Sequence, residues 1–172
     1  MEIATFGAGC FWKVEDAFRQ LEGVESTSVG YMGGHFANPS YLDVLARITG
    51  HAEVAQLRYN PQKVSYLELL ALFWSIHDPT QLNRQGADKG EQYRSVIFYH
   101  SSQQEREARA SKRKLQQSGQ FERGIVTQIK AASEYYLAQE SDQQYLEKKR
   151  HSVPSWGKGL NLTALQGGDS SY

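Results

Sequence analysis

The chain has 172 residues, with 19 Lys and Arg set against 19 Asp and Glu, so its formal net charge is zero. That balance excludes electrostatic capture of nucleic acid or of an anionic membrane as the organising function, and the single cysteine, Cys10, excludes an internal disulfide. No apolar run reaches the ~20 residues of a membrane span and the N-terminus lacks the features of a secretory signal, so a cytoplasmic, monomeric enzyme or binding domain is expected.

An apolar stretch over residues 3–6 predicts a strand. The run Gly7-Ala8-Gly9-Cys10-Phe11-Trp12 follows, and Val14, Ala17, Phe18 and Leu21 then recur at the i, i+3, i+4, i+7 spacing of one buried helix face. Further strands are predicted over 24–31, 52–59, 93–100 and 125–130. A helix over 67–76 carries two apolar stripes, begins at the capping box Ser65/Glu68 and stops at His77-Asp78-Pro79, because proline cannot continue it. A second box, Ser102/Glu105, opens a polar helix that runs to about residue 117, and a short helix is predicted over 142–149. Two long irregular stretches, 32–50 and 79–92, have the length typical of functional loops. This order of elements gives an α+β fold, a two-layer sandwich with helices packed on a largely antiparallel sheet. Residues 1–151 form one catalytic domain in this reading, and 152–172, rich in Gly and Ser, a mobile tail.

Cys10 opens a helix, where free N–H groups and the dipole favour a thiolate; a lone cysteine is otherwise a small buried hydrophobe. Phe11 and Trp12, directly after the sulfur, can wall a small apolar pocket. Glu53 alternates with Ala55, Leu57 and Tyr59 on the apolar face of its strand. Desolvation there raises a carboxyl pKa and suits it to act as an acid near neutral pH; a strand-end glutamate reaching solvent past His51 is the equal alternative. Tyr41, Asp88 and Tyr93 lie on or beside the long stretches. The phenols can donate hydrogen bonds without bringing charge, and Asp88 also suits a turn. Gly7-Ala8-Gly9 is not a dinucleotide fingerprint, since bulky Trp12 holds the third glycine position. His35, His51, His77, His100 and His151 have no metal-ligand spacing, so no metal centre is expected.

These residues together resemble the type A peptide methionine sulfoxide reductases. The resemblance is carried in series by Gly9-Cys10-Phe11-Trp12, Gly30-Tyr31-Met32-Gly33-Gly34, Asn38-Pro39-Ser40-Tyr41, Thr49-Gly50-His51-Ala52-Glu53, Asn60-Pro61, Phe73-Trp74, His77-Asp78-Pro79-Thr80, Asp88 and Gln92-Tyr93-Arg94-Ser95. It implies a sandwich related to the ferredoxin-like plait. It also implies reduction of the S epimer of methionine sulfoxide, free or in proteins, to methionine, as repair of oxidised proteins. Carried over residue by residue, it makes Cys10 the nucleophile and Glu53 the proton donor. Tyr41 and Tyr93 bind the sulfoxide oxygen with support from Asp88, and Phe11 and Trp12 receive the methyl group.

The chain departs from the family pattern in three places. Many relatives carry further cysteines near the C-terminus that resolve the sulfenic acid, and this chain has none. No bound cofactor is expected, and an external thiol, from glutathione and glutaredoxin or from thioredoxin, must then complete the cycle. Lys13 stands where the family usually has glycine, and Asp142 begins a segment that usually begins with histidine. Two readings from other classes compete: a protein that binds methionine sulfoxide without turnover, and a thiol peroxidase. The first needs neither thiol nor acid, and the second more typically sets a cation beside its thiolate than an aromatic pair.

Overall fold

The computed structural model describes residues 1–152, so the expected tail over 152–172 lies, beyond its first residue, outside the described residues. In chain order the elements are β1 (Glu2–Gly7), α1 (Phe11–Arg19), β2 (Val24–Met32), α2 (Tyr41–Leu45), β3 (Ala52–Tyr59), α3 (Tyr66–Ser75), β4 (Arg84–Gln85), β5 (Asp88–Lys89), β6 (Val96–Tyr99), α4 (Ser102–Gln117), β7 (Gln128–Ala131), β8 (Tyr136–Leu137) and α5 (Tyr145–Arg150). Six strands form one sheet in the order β7-β6-β1-β3-β2-β8, and β4 and β5 form a separate hairpin. Every pair in the large sheet is antiparallel except β6–β7. This is the mixed, largely antiparallel α+β sandwich expected.

Alternation along β3 sorts its side chains between two cores, as a period of two requires. Ala55, Leu57 and Tyr59 join the main core, while Ala52 and Val54 belong to a smaller cluster with Met32, Val96 and Phe98. The main core is filled from both layers by aromatic rings. Phe6 of β1 stacks on Phe18 of α1 with centroids 5.0 Å apart and meets Phe73 of α3 at 5.2 Å. Both capping boxes that open α2 and α3 are formed, with Ser40 and Ser65 accepting from the amides of Asp43 and Glu68. At the start of α4, Ser101 takes the cap and accepts from the Gln104 amide.

Several expected boundaries move. The stretch 32–50 contains α2, too short for apolar periodicity to reveal, and 79–92 contains the β4–β5 hairpin. The strand expected from residue 93 begins at Val96, because Glu91–Tyr93 is a 3-10 turn; Tyr93 is thus presented by a turn. The strand expected over 125–130 is Gln128–Ala131, and the helix expected over 142–149 is α5, preceded by a 3-10 turn at Glu140–Asp142. Strand β8 has no counterpart in the sequence reading. Among the described residues no helix is long and apolar enough to cross a membrane.

Buried polar side chains fasten the segment after β8 to the sandwich. Gln143 receives the Val29 amide on Oε1 at 2.8 Å and donates to the carbonyls of Val29 and Ala138. Glu15, buried within α1, accepts from the Thr27 hydroxyl, the Gln144 amide and the Gln144 side chain. Each buried oxygen thereby replaces the water it has lost.

Candidate active site

A cavity of about 900 Å³ opens where β1, α1, α2, β3 and the β4–β5 hairpin converge, and it brings together every residue singled out from the sequence: Cys10, Phe11, Trp12, Tyr41, Glu53, Asp88 and Tyr93. Cys10, Phe11 and Trp12 arrive together at the start of α1, and the others on separate pieces of local structure. Cys10 is the N-cap of α1, with its carbonyl accepting from the amides of Lys13 and Val14 at 3.2 and 3.4 Å. Gly9 before it has φ of +94°, and a Cβ there would lie 2.9 Å from Gln85 Cβ, so only glycine lets the chain turn this close to the hairpin. Tyr41 is the first residue of α2, held by the Ser40–Asp43 box, and remains 46% exposed at the cavity edge. Asp88 pairs with Gln85 across the hairpin.

Glu53 faces the main core and is only 4% exposed, which decides between the two sequence readings in favour of the buried carboxyl. Its Oε1 accepts the Phe11 N–H at 3.2 Å. The first free amide of α1 is therefore spent on the carboxyl, and the thiol makes no side-chain capping bond. Burial pushes the Glu53 pKa up to about 8, against the opposing pull of the Phe11 amide and with help from Asp88 and Asp142. The group is an acid at neutral pH.

Cys10 departs from expectation. The helix N-terminus was expected to favour thiolate, and the amides of Trp12 and Lys13 do pull that way. Burial of the sulfur and the neighbouring Glu53 outweigh them and push the thiol up to about 12. Desolvation costs a thiolate more than two amides return, so the resting site holds an SH group. Burial, together with Glu53 and Asp88, likewise holds the Tyr93 phenol above its ordinary value and leaves it a hydrogen-bond donor.

The aromatic wall is braced from behind. Phe11 packs on Tyr31 at 5.7 Å, and Tyr31 lies directly opposite Glu53 in the β2–β3 register. Trp12 stacks on Tyr145 of α5 at 3.9 Å and donates its Nε1–H to Asp142 Oδ1 at 3.1 Å. Gln85, Gln139 and Asp142 line the cavity as well and were not among the expected site residues. Gln85 holds the hairpin to the end of α3 by bonding both the amide and the carbonyl of Asp78. Asp142 could have been suspected from its place in a segment that departs from the family pattern. Among the described residues no group of three or more His, Cys, Asp or Glu side chains is arranged to hold a metal ion.

Comparison with known proteins agrees with this geometry. The family model described as peptide methionine sulfoxide reductase matches residues 2–163. A curated relative from Nostoc sp., peptide methionine sulfoxide reductase MsrA 1, is 71% identical over 149 residues, covering 87% of this chain and 91% of its own. Reduced Mxr1 from Saccharomyces cerevisiae superposes with a TM-score of 0.82 at 35% identity, covering 89% of this chain and 88% of that one. The same yeast protein in complex with Trx2 superposes with a TM-score of 0.59 at 27% identity, covering 84% of each chain. The chain belongs to the peptide methionine sulfoxide reductase family.

Proposed function

We propose that the cavity reduces the S epimer of methionine sulfoxide, free or in proteins, to methionine, with Cys10 as nucleophile and Glu53 as the acid. The observation that carries this reading is a buried carboxyl, 4% exposed and bonded to the Phe11 amide, on the wall of the cavity that also holds the thiol; burial raises its pKa to about 8. An unprotonated sulfoxide oxygen is a very poor leaving group. Glu53 gives that oxygen its proton, while the hydroxyls of Tyr41 and Tyr93 donate hydrogen bonds that strengthen as the S–O bond weakens. Asp88 supports the same network through its charge, which helps keep Glu53 protonated.

Protonation leaves positive charge on the substrate sulfur, and that charge offsets the burial that keeps Cys10 a thiol in the resting site. The Cys10 proton passes to the Glu53 carboxylate as its sulfur takes the OH group. Methionine and a Cys10 sulfenic acid are formed, and Glu53 ends as it began. Phe11 and Trp12 enclose the S-methyl group, whose burial contributes about 0.8 kcal/mol and selects for shape without polar cost.

Cys10 is the only cysteine in the sequence, so the sulfenic acid is resolved from outside. One thiol displaces water to form a mixed disulfide on Cys10, and a second thiol releases the enzyme as the two external sulfurs are oxidised to a disulfide. Glutathione with glutaredoxin, or thioredoxin, supplies these electrons, and a reducing compartment such as the cytoplasm provides them. Capture of the yeast relative with Trx2 supports the thioredoxin route. The lining residues run from Ala8 to Asp142 and so all fall within the catalytic domain read over residues 1–151.

Turnover with dithiothreitol tests the reading. The S epimer yields methionine, and Cys10→Ser yields none. Binding of the sulfoxide without methionine release would instead identify a receptor, and peroxide consumption without sulfoxide turnover a peroxidase. After oxidation and treatment with glutathione, intact-mass measurement finds a glutathione adduct on Cys10 if that route operates. Its absence would leave thioredoxin as the direct reductant.

A further inference from the structure

Helix α2 presents its apolar side chains to solvent. Val44 is its one buried residue, while Leu42 and Leu45 are 70% and 47% exposed, and Ile48 just beyond the helix is 52% exposed. With Phe36 and Tyr41 they make five of the nine large hydrophobic side chains exposed among the described residues. Single exposed apolar residues are ordinary, but a group of five on one short segment marks a binding surface. Helix α4 shows the usual pattern, with Arg106, Arg109, Arg113 and Lys114 at exposed positions. The segment is also tied down. The His35 amide donates to the Thr49 carbonyl at 2.9 Å, the Gly34 amide to His51 Nδ1 at 2.9 Å, and His51 Nε2–H to the Phe36 carbonyl at 2.7 Å. Tyr41 joins this apolar face to the catalytic cavity, since it lines the cavity and stands one helical turn before Leu45. Elsewhere the exposed rim is Lys13, Gly86, Ala87 and Gln139, with no large apolar side chain.

We propose that the α2 face binds the apolar stretch of polypeptide on one side of a methionine sulfoxide, which makes oxidised segments from protein cores the preferred substrates. The inference rests on the reductase reading above and names its substrate class. Methionine is among the residues most often buried, so the chain around it is rich in apolar side chains. Its oxidation to a polar sulfoxide disrupts the core that held them. With the sulfoxide in the cavity, the flanking chain leaves past Tyr41. An extended chain advances about 3.3–3.6 Å per residue, and α2 is about 7.5 Å long. Side chains two to four positions from the sulfoxide therefore lie over Leu42, Leu45 and Ile48.

The test uses N-acetylated heptapeptide amides with a central methionine S-sulfoxide flanked by Leu or by Gln, and N-acetyl methionine S-sulfoxide as a substrate too small to reach α2. Dithiothreitol is the reductant. Leu42→Gln combined with Leu45→Gln removes the apolar face at two exposed positions outside the cavity lining. Wild type is expected to favour the Leu-flanked peptide over the Gln-flanked one by about tenfold in kcat/KM. The double variant should lose that preference through KM, with kcat unchanged, and stay within twofold of wild type on the small substrate. No preference in wild type, a preference that survives in the variant, or an equal loss on all three substrates would each overturn the proposal. The last result would mean that α2 acts only through Tyr41. A wild-type dimer that the variant converts to monomer, measured by sedimentation, would assign the face to a second copy and also overturn it. So would a variant impaired with thioredoxin but not with dithiothreitol, which would assign the face to the reductant. If wild type does not reduce N-acetyl methionine S-sulfoxide, the reductase reading itself fails, and this inference with it.

Discussion

At the scale of single residues the chemistry turns on a division of proton affinities between Glu53 and Cys10, and burial drives both. A buried carboxyl and a buried thiol each favour their neutral forms, so in the proposed mechanism the resting site carries both protons and ionises when the sulfoxide arrives. The alkaline limb of kcat/KM should therefore follow Glu53: activity is retained while the carboxyl is protonated and falls as pH rises through about 8. Glu53→Gln keeps a hydrogen-bond donor but has no proton to give, and is expected to lower kcat by about 10²- to 10⁴-fold and abolish that limb. A Glu53→Gln variant with wild-type kcat would remove the acid from the mechanism. Tyr41→Phe and Tyr93→Phe each remove one donor to the same oxygen. Each should cost about tenfold in kcat, and the double variant more than the two combined, because either phenol partly covers for the other.

At the scale of elements, α2 places Tyr41 at the cavity edge, and its Ser40–Asp43 capping box fixes the start of the helix. Ser40→Ala should cost about 1 kcal/mol of stability. It should also lower kcat/KM through Tyr41 while leaving the Glu53 limb of the pH profile where it was. A second element-scale prediction concerns the end of α3. His77 donates Nδ1–H to the Phe73 carbonyl and accepts the Ser95 hydroxyl on Nε2, and Ser95 in turn meets Thr127. Burial pushes the His77 pKa down to about 4 from an ordinary value near 6.5. The unfolded chain thus binds a proton that the folded chain refuses. Stability supplied by this histidine is complete above about pH 6.5 and is lost as pH falls toward 4, by a few kcal/mol in total. Urea unfolding of His77→Asn between those limits should show a flatter pH dependence than wild type.

The same scale explains what the sequence could reveal. Strands β1, β2 and β3 and helices α1, α3 and α4 announce themselves by their patterns, and α3 also by its capping box. The box expected at Ser102/Glu105 is replaced by a cap from Ser101, and the alternating strand left the buried and solvent-reaching readings of Glu53 equal. Elements of two to five residues, α2, the β4–β5 hairpin and β8, span little more than one period, too few for a pattern to repeat, and are fixed by tertiary contacts instead. Tyr41 and Asp88 could be named but not seated, because the elements that carry them are of this short kind. The direction of the Cys10 shift was missed for a related reason. A helix N-terminus is a local feature visible in sequence, whereas the burial that overrides it depends on what the hairpin and β3 place around the sulfur.

For the whole molecule, the polar ties between α1, β2 and the segment before α5 hold the tryptophan side of the cavity to the sheet. Glu15 is buried and satisfies three donors, so Glu15→Ala leaves those donors unpaired in the interior. A loss on the order of 3 kcal/mol is expected as a shift of the urea midpoint, together with a raised KM as Trp12 and Asp142 lose their support. The lone cysteine sets the other molecular property: in the proposed cycle the chain carries out the oxygen transfer itself and leaves restoration of its thiol to an external thiol.

The most direct measurement is a single turnover with the S epimer of methionine sulfoxide and no reductant present. One methionine should appear per chain, with Cys10 found as a sulfenic acid by mass spectrometry and no activity remaining until a thiol is added. Methionine formed while Cys10 stays unmodified, or no methionine at all from a folded enzyme, would contradict the account.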